Sequence, residues 1–424
     1  MFRTAISATT LSACLTACAQ HGATFAPPAP APAIERSGVS RYDLLYSFGE
    51  HAKSGDGVRP LAGLHAIGGT FYGTTQQGGT PTSFCPYGCG TVFRITPAGI
   101  ESIVYRFKGG TDGIAPSARL VTLNGVLAGT TASGGVGTGC FGGCGTIFRV
   151  NTDGKKAAAL YAFQGGHDGA TPLGGLTVAG GFVYGTTQYG GEQNKHCFNG
   201  CGIVFRIDSN GSNERILHRF SGGSDGANPL DTLIDVNGSL YGTTIYGGTK
   251  TGLCSRGCGT IFRVDANGTE KILYRFGYAV KSDDAAYPVA GLLFSRGVLY
   301  GTTLGGGVAG LGTVFAVDPS SGKVRVLHSF GCCSKTARDG VSPGAPLVEA
   351  GGAFYGTTRG GGRHGHGTIF KIDRAGKESD VYSFAARPDG NQPDGGLLLS
   401  GTALFGTTAW GGSVSEGGVF RITP

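Results

Sequence analysis

The tripeptide Gly-Thr-Thr occurs seven times in this 424-residue chain, beginning at Gly73, Gly129, Gly185, Gly242, Gly301, Gly356 and Gly406, at spacings of 56, 56, 57, 59, 55 and 50 residues. A period of that size, kept along most of a chain, means one supersecondary unit copied in series, because each copy can bury its apolar faces only against its neighbours. Two further landmarks keep the same count. Gly-(Thr/Ile/Gly)-(Val/Ile)-Phe ends at Phe93, Phe148, Phe205, Phe262, Phe315, Phe370 and Phe420. An aromatic residue or His, then any residue, then Phe ends at Phe48, Phe107, Phe163, Phe220, Phe276, Phe330 and Phe384.

Within a unit, four short β-forming runs alternate with turn residues, as in Leu120-Val121-Thr122-Leu123, Val126 to Thr131, Thr146 to Val150 and Ala158 to Phe163. We label them strands a to d. The a–b connection carries Asn-Gly or Gly-Gly (Asn124-Gly125, Asn237-Gly238, Gly351-Gly352) and the c–d connection Asn-Gly or Asp-Gly (Asp153-Gly154, Asn210-Gly211, Asn267-Gly268), the residues that tight hairpins demand. Each unit is therefore expected to be a four-stranded meander. Such a sheet cannot bury both faces alone, and a ring of units stacked face to face solves that problem. The last unit stops at Ile422-Thr423-Pro424 after strand c, while Tyr42 to Phe48 is a lone strand d ahead of the first. The chain is thus expected to be all-β, a seven-bladed β-propeller of four-stranded antiparallel blades closed by the N-terminal strand completing the last blade. An open solenoid, the alternative, would need capping units at both ends and has no use for this complementary deficit.

In such a meander the a–b and c–d turns leave from one face of the ring, and the b–c and d–a loops from the other. Every long loop collects on that second face, where any ligand is expected to bind. The b–c loops run 14 to 15 residues from the second Thr to the next landmark Gly in units one to four and 9 in units five to seven. Only the long ones carry cysteines, as Cys85/Cys89, Cys140/Cys144, Cys197/Cys201 and Cys254/Cys258. A turn brings Cys-x3-Cys within disulfide range, so local clips are expected. The alternative, a zinc site, would find only two ligands per loop. Cys332 and Cys333 are vicinal, and pair either with each other or with another chain.

The amino terminus reads as an export signal. Residues 1–17 hold one positive charge, Arg3, and a modest apolar stretch ending in Leu15-Thr16-Ala17-Cys18, which resembles the bacterial lipobox. That resemblance implies lipidation at Cys18, with Cys14 as the alternative site and an ordinary cleaved signal peptide as the alternative process. Ala19, in place of Asp, implies sorting to the outer membrane, on either its periplasmic or its cell-surface side. Residues 18–41 follow as the lipidated Cys and a Pro/Ala-rich tether, and residues 42–424 as the propeller. Ten of the 12 cysteines fall into close pairs beyond the signal, which agrees with an oxidising compartment. The net charge of +7 is spread as single residues without a basic block, so no nucleic-acid partner is expected, and the membrane is met only through the anchor.

Candidate site residues are few. Tyr189, Tyr246 and Trp410 share one repeat position at the start of the b–c loops, where other units have Gln77, Ser133, Gly305 and Gly360. Phe84, Tyr87, Phe141 and Phe198 add rings beside the cysteines. Exposed rings on a rigid platform suit stacking on sugars or anchoring a protein, and loop packing is the competing explanation. The Asp residues of the d–a loops (Asp112, Asp168, Asp225, Asp339, Asp389) supply one carboxylate per loop, too few for calcium, and suit a turn. Arg363-His364-Gly365-His366 reads as a solvated loop before a metal site. No catalytic residue, metal or cofactor is expected.

Leu-Tyr-Gly-Thr-Thr-x-x-Gly-Gly, Gly-Thr-Ile-Phe-Arg-Val and Leu-Tyr-x-Phe-x-Gly-Gly-x-Asp-Gly-x-x-Pro together resemble the tandem repeat of the GloVer-containing choice-of-anchor bacterial surface proteins. The resemblance spans Tyr42 to Pro424. Unit seven departs from it with Gly418 for Thr, and unit five lacks the Asp-Gly loop, reading Ser282-Asp283-Asp284. It implies a surface repeat protein without an assigned activity. The vicinal cysteines also resemble those of quinone-dependent propeller dehydrogenases, but that family implies eight blades and Trp docking motifs, against seven units and one Trp here. The expected function is a non-enzymatic binding platform, monomeric, lipid-anchored at the cell envelope, with a glycan or protein ligand on the long-loop face. An exported polysaccharide hydrolase or lyase with its site at the axial mouth, and a structural spacer, are the alternatives.

Overall fold

In blade two, Val121–Leu123, Val126–Ser133, Thr146–Val150 and Ala158–Ala162 form one antiparallel sheet in that spatial order, so strands a to d lie as the turn residues dictate. The computed structural model describes residues 40–50, 55–278, 283–331 and 339–424. Residues 1–39, with the expected lipidation site Cys18 and its alternative Cys14, and the pair Cys332 and Cys333 lie outside the described residues. Seven such sheets follow one another around a ring. Both turn residues of Asn124-Gly125 and of Asn237-Gly238 have positive φ, the backbone that a two-residue hairpin requires.

The ring closes as its ends imply. Arg41–Ser47 pairs with Gly418–Thr423, and the last sheet is completed in the order Leu398–Ser400, Ala403–Thr408, Gly418–Thr423, Arg41–Ser47. The first described strand thus becomes strand d of blade seven. Arg421 adds an ion pair to Asp43 at 2.6 Å.

Two of the landmarks turn out to be one physical feature. Each Gly of Gly-Thr-Thr lies opposite the landmark Phe of strand c, as Gly73 opposite Phe93 and Gly301 opposite Phe315. The ring lies flat over the glycine, and a Cβ at Gly73 or Gly301 would come within 2.5 Å of Phe Cζ. The third landmark closes each seam between blades. The strand-d Phe of one blade meets the strand-c Phe of the next edge to face, in the pairs Phe48–Phe93, Phe107–Phe148, Phe163–Phe205, Phe220–Phe262, Phe276–Phe315, Phe330–Phe370 and Phe384–Phe420. Centroids lie 4.9 to 5.4 Å apart. Such a pair adds about 0.5–1.5 kcal/mol beyond the area it buries. Seven apolar clusters, each drawn from neighbouring blades, form the core.

Strands a line the axis. Those of neighbouring blades touch, as where His65 Nε2 meets Thr122 Oγ1 at 2.9 Å and Ser295 Oγ donates to Glu349 at 2.5 Å. In five blades the first Thr after the glycine (Thr74, Thr130, Thr186, Thr302 and Thr407) ties its blade to the next. Thr130 Oγ1 donates to Gly174 O of the next blade at 3.1 Å, and Thr131 Oγ1 meets Thr146 Oγ1 at 2.8 Å within its own sheet. Among the described residues no helix is long and apolar enough to cross a membrane.

Candidate functional site

The long b–c loops of blades one to four rise on one face, and each is clipped by its own disulfide. Cys85–Cys89, Cys140–Cys144, Cys197–Cys201 and Cys254–Cys258 are all formed, with Cα atoms 5.1 or 5.2 Å apart. The clip also carries the neighbouring d–a loop. A Cβ at Gly165 would meet Cys144 Sγ at 2.8 Å, and Gly165 has φ 79, so the loop's first residue must be glycine to lie on the sulfur. Beside the clips, Phe84, Tyr87, Phe141 and Phe198 are exposed.

Tyr189, Tyr246 and Trp410 are half-buried at the start of their loops. Tyr246 carries the Arg256 guanidinium over its ring at 3.9 Å from the centroid, and Trp410 carries Arg59 at 4.6 Å. These two rings therefore carry an arginine over one face, where open stacking surfaces were the expectation. Tyr189 belongs to blade three and faces the same charge, since Arg256 acts on its phenol. Trp410, in blade seven, is grouped with Arg59 of blade one. A depression of about 160 Å³ opens between blades three and four, lined among others by Tyr246, Arg256, Lys195, His196 and Lys250.

The d–a loops are built on a carboxylate staple. At every seam the residue after the landmark Phe donates its backbone N–H to an Asp of the loop, from Gly49, Lys108, Gln164, Ser221, Gly277, Gly331 and Ala385, at 2.6 to 2.9 Å. The acceptors are Asp56, Asp112, Asp168, Asp225, Asp284, Asp339 and Asp389. The staple closes a longer loop than an Asx turn, and unit five keeps it through Asp284 although its Asp-Gly sequence is lost. The same Asp takes a second bond from the first residue of the third landmark. Tyr46, Tyr105, Tyr161 and Tyr382 donate their phenols at 2.6 to 3.2 Å, and His218 and His328 stand in that place with Nε2 at 3.2 and 3.3 Å. Burial first, and the facing carboxylates next, push the phenols Tyr105, Tyr161 and Tyr382 up, so they remain donors.

Four glutamates that sequence reading passed over complete these seams. Glu101, Glu214, Glu270 and Glu378 stand where strand d of the following blade begins, and each has a buried Oε1 without a hydrogen-bond partner. Burial, with the charge of Asp56 or Asp168 next, pushes Glu101 and Glu214 up to about 7. Glu270 and Glu378 also stand at about 7, again from burial first. The signal was present as Gly-x-Glu after the c–d turn (Gly99, Gly268, Gly376), but only the three-dimensional seam joins it to an Asp some 45 residues away in the chain, as in Asp225 to Glu270. Close to the axis, half-buried Asp231 accepts the N–H of Thr232 at 2.6 Å and of Gly291, in blade five, at 2.7 Å.

No curated protein matches the chain. Among solved structures it is similar to an oligogalacturonate lyase from Vibrio parahaemolyticus, at 7% identity over 91% of this chain and 97% of that one, with a TM-score of 0.52. It is also similar to a luciferin-regenerating enzyme (13% identity, 91% and 95% covered, TM-score 0.43) and to a chain of a nidogen/laminin complex (16%, 69% and 90%, TM-score 0.42). At these identities the likeness concerns the fold alone. The Gloeobacter/Verrucomicrobia repeat model matches residues 35–253 and 246–424, and the chain, with its repeat now seen as a propeller blade, belongs to the Gloeobacter/Verrucomicrobia repeat family.

Proposed function

We propose that this propeller is a non-enzymatic binding platform of the bacterial cell envelope, whose long-loop face takes an acidic glycan at the seam between blades three and four. The observation that carries this reading is the Arg256 guanidinium seated over the Tyr246 ring, at the edge of a depression that Lys195, His196 and Lys250 also line. A stacked guanidinium loses little freedom when it binds, and its fork of donors matches a carboxylate or sulfate. Three cationic side chains around one shallow depression favour a polyanion over a neutral sugar. Tyr189, reached by the same arginine, extends the surface, and the exposed Phe84, Tyr87, Phe141 and Phe198 widen it toward blades one and two.

Attachment through a lipid on Cys18 at the outer membrane belongs to the same proposal, supported by the four disulfides, which suit an exported protein. The hydrolase or lyase alternative finds less support. Among the described residues, the groupings of His, Asp and Glu lie at strands d, away from the axial mouth.

The test compares retention of the purified protein on alginate with retention on dextran, for wild type, Arg256→Ala and Tyr246→Ala. Selective retention on alginate, reduced at least tenfold in Arg256→Ala at unchanged Tm, is the expected result. Equal retention on both polymers, or none on either, overturns it. Cys18→Ala should move the protein from the membrane fraction to the soluble fraction.

A further inference from the structure

At the seams discussed above the landmark residue binds the staple Asp, Tyr274 included through Asp284, and at two of them that residue is a histidine. Both histidines fall at seams that also receive a glutamate from the next blade. The result is the same trio twice, with ligand atoms all within 4.8 Å of one another: His218, Asp225 and Glu270 between blades three and four, and His328, Asp339 and Glu378 between blades five and six.

We propose that these two seams are divalent transition-metal sites, each holding one ion between two neighbouring blades through His Nε2, an Asp oxygen and a Glu oxygen. A tetrahedral ion with bonds of about 2.1 Å sets its ligands about 3.4 Å apart. His218 Nε2 already lies 3.2 Å from Asp225 Oδ1, and His328 Nε2 lies 3.3 Å from Asp339 Oδ2.

A second observation points into the same space. Glu270 Oε1 and Glu378 Oε1 are buried without a partner, and at the second seam Asp339 Oδ1 is as well. A buried carboxylate oxygen needs a donor or a cation, and the residues around it leave that need unmet. Charge fits too, since two carboxylates and a neutral imidazole balance a divalent ion.

The donor set selects the class of ion. An imidazole with two carboxylates suits zinc and its first-row neighbours, whereas calcium and magnesium take oxygen ligands almost throughout. With three protein ligands a fourth position remains for water. Because the ligands come from two blades, the ion clamps the outer edge of the ring.

The repeat provides its own control. Tyrosine fills the His218 position at most seams, as Tyr46, Tyr105 and Tyr161 do, and it is accommodated there beside the same Asp. His218→Tyr and His328→Tyr should therefore fold, while a phenol held as a donor to the Asp offers no ligand.

The experiment strips the untagged full-length protein with a chelator, then titrates zinc chloride by calorimetry and counts bound zinc by mass spectrometry. Two zinc ions per chain are expected in wild type, one in His218→Tyr or His328→Tyr, and none in the double variant. Zinc should raise the Tm of wild type and leave that of the double variant unchanged. Glu270→Gln with Glu378→Gln, which leaves both histidines in place, should also abolish the titration. Absence of zinc binding in wild type overturns the proposal. So does binding that persists in the double tyrosine variant and disappears with His364→Ala and His366→Ala, which would assign the ion to that loop.

Discussion

Gly185 lies directly opposite Phe205 in the ladder of blade three, and a methyl group on Gly185 would stand 2.6 Å from Phe205 Cζ. The ring cannot step aside, because its other side meets the edge of Phe163 from the preceding blade at 5.2 Å. One glycine thus sets the depth at which two blades pack. Gly185→Ala should destabilise by about 1–3 kcal/mol, the usual range for forcing a methyl into a full core. Urea unfolding measures it. A loss below half a kcal/mol, on the same scale, would mean that the seam repacks and that the Gly–Phe pair does not govern it.

That pair also shows what the sequence could and could not disclose. Period, strand order, the tight turns and the closing strand were all legible, because each is a local pattern repeated seven times and the missing strand at one end matched the spare strand at the other. The Gly-Thr-Thr and Gly-x-x-Phe landmarks were visible as separate features. Their contact was not, since the ladder register decides it. The seam carboxylates were less visible still. Glu270 and His218 lie in different blades and meet only when the sheets stack. Tyr246 and Trp410 were recognised as a shared position, yet the arginines over them are set by the folded loops, Arg256 from the far end of Tyr246's own b–c loop and Arg59 from the d–a loop leading into blade one.

The disulfide of blade two supports two loops at once, its own b–c loop and the d–a loop that rests on it through Gly165. It joins residues with a sequence separation of 4, so its effect on the unfolded chain is modest, about 2 kcal/mol. Replacing Cys140 and Cys144 by Ser should lower stability by that amount. Limited proteolysis should then cut between residues 134 and 145 before the blades unfold. Uncut loops in the variant would show that the glycine-rich backbone holds itself.

Stability should fall as pH rises from about 5 to 8. Glu101 and Glu214 bind their protons more tightly folded than unfolded, because burial and the facing Asp56 or Asp168 push each up to about 7. The stability they contribute is fully present below the ordinary glutamate range and is lost as pH climbs through about 7. Glu101→Gln with Glu214→Gln should flatten the Tm profile over that window, since a neutral amide replaces the protonated acid. An unchanged slope in the double variant would place the pH dependence elsewhere.

Thr187 and Thr408 both lack a threonine opposite, but Thr187, facing Ile203, still donates to Tyr189 O at 2.7 Å, and Thr408 does not have that outlet. In blade one, Thr75 Oγ1 meets Thr91 Oγ1 at 2.7 Å and donates to Gln77 O at 2.8 Å. In blade seven the opposite residue is Gly418, and Thr408 Oγ1 is buried without any partner. Restoring the threonine is blocked, because a Cβ at Gly418 would come within 2.8 Å of Tyr46 O. Removing the hydroxyl is the remaining route. An unpaired buried hydroxyl costs about 1–3 kcal/mol, and valine has nearly the same shape. Thr408→Val should therefore be neutral or stabilising by up to about 1 kcal/mol, while Thr75→Val should destabilise by a similar amount because it also strands Thr91. Chemical denaturation of both variants gives the comparison. Equal losses at the two positions would mean that Thr408 finds a partner in solution.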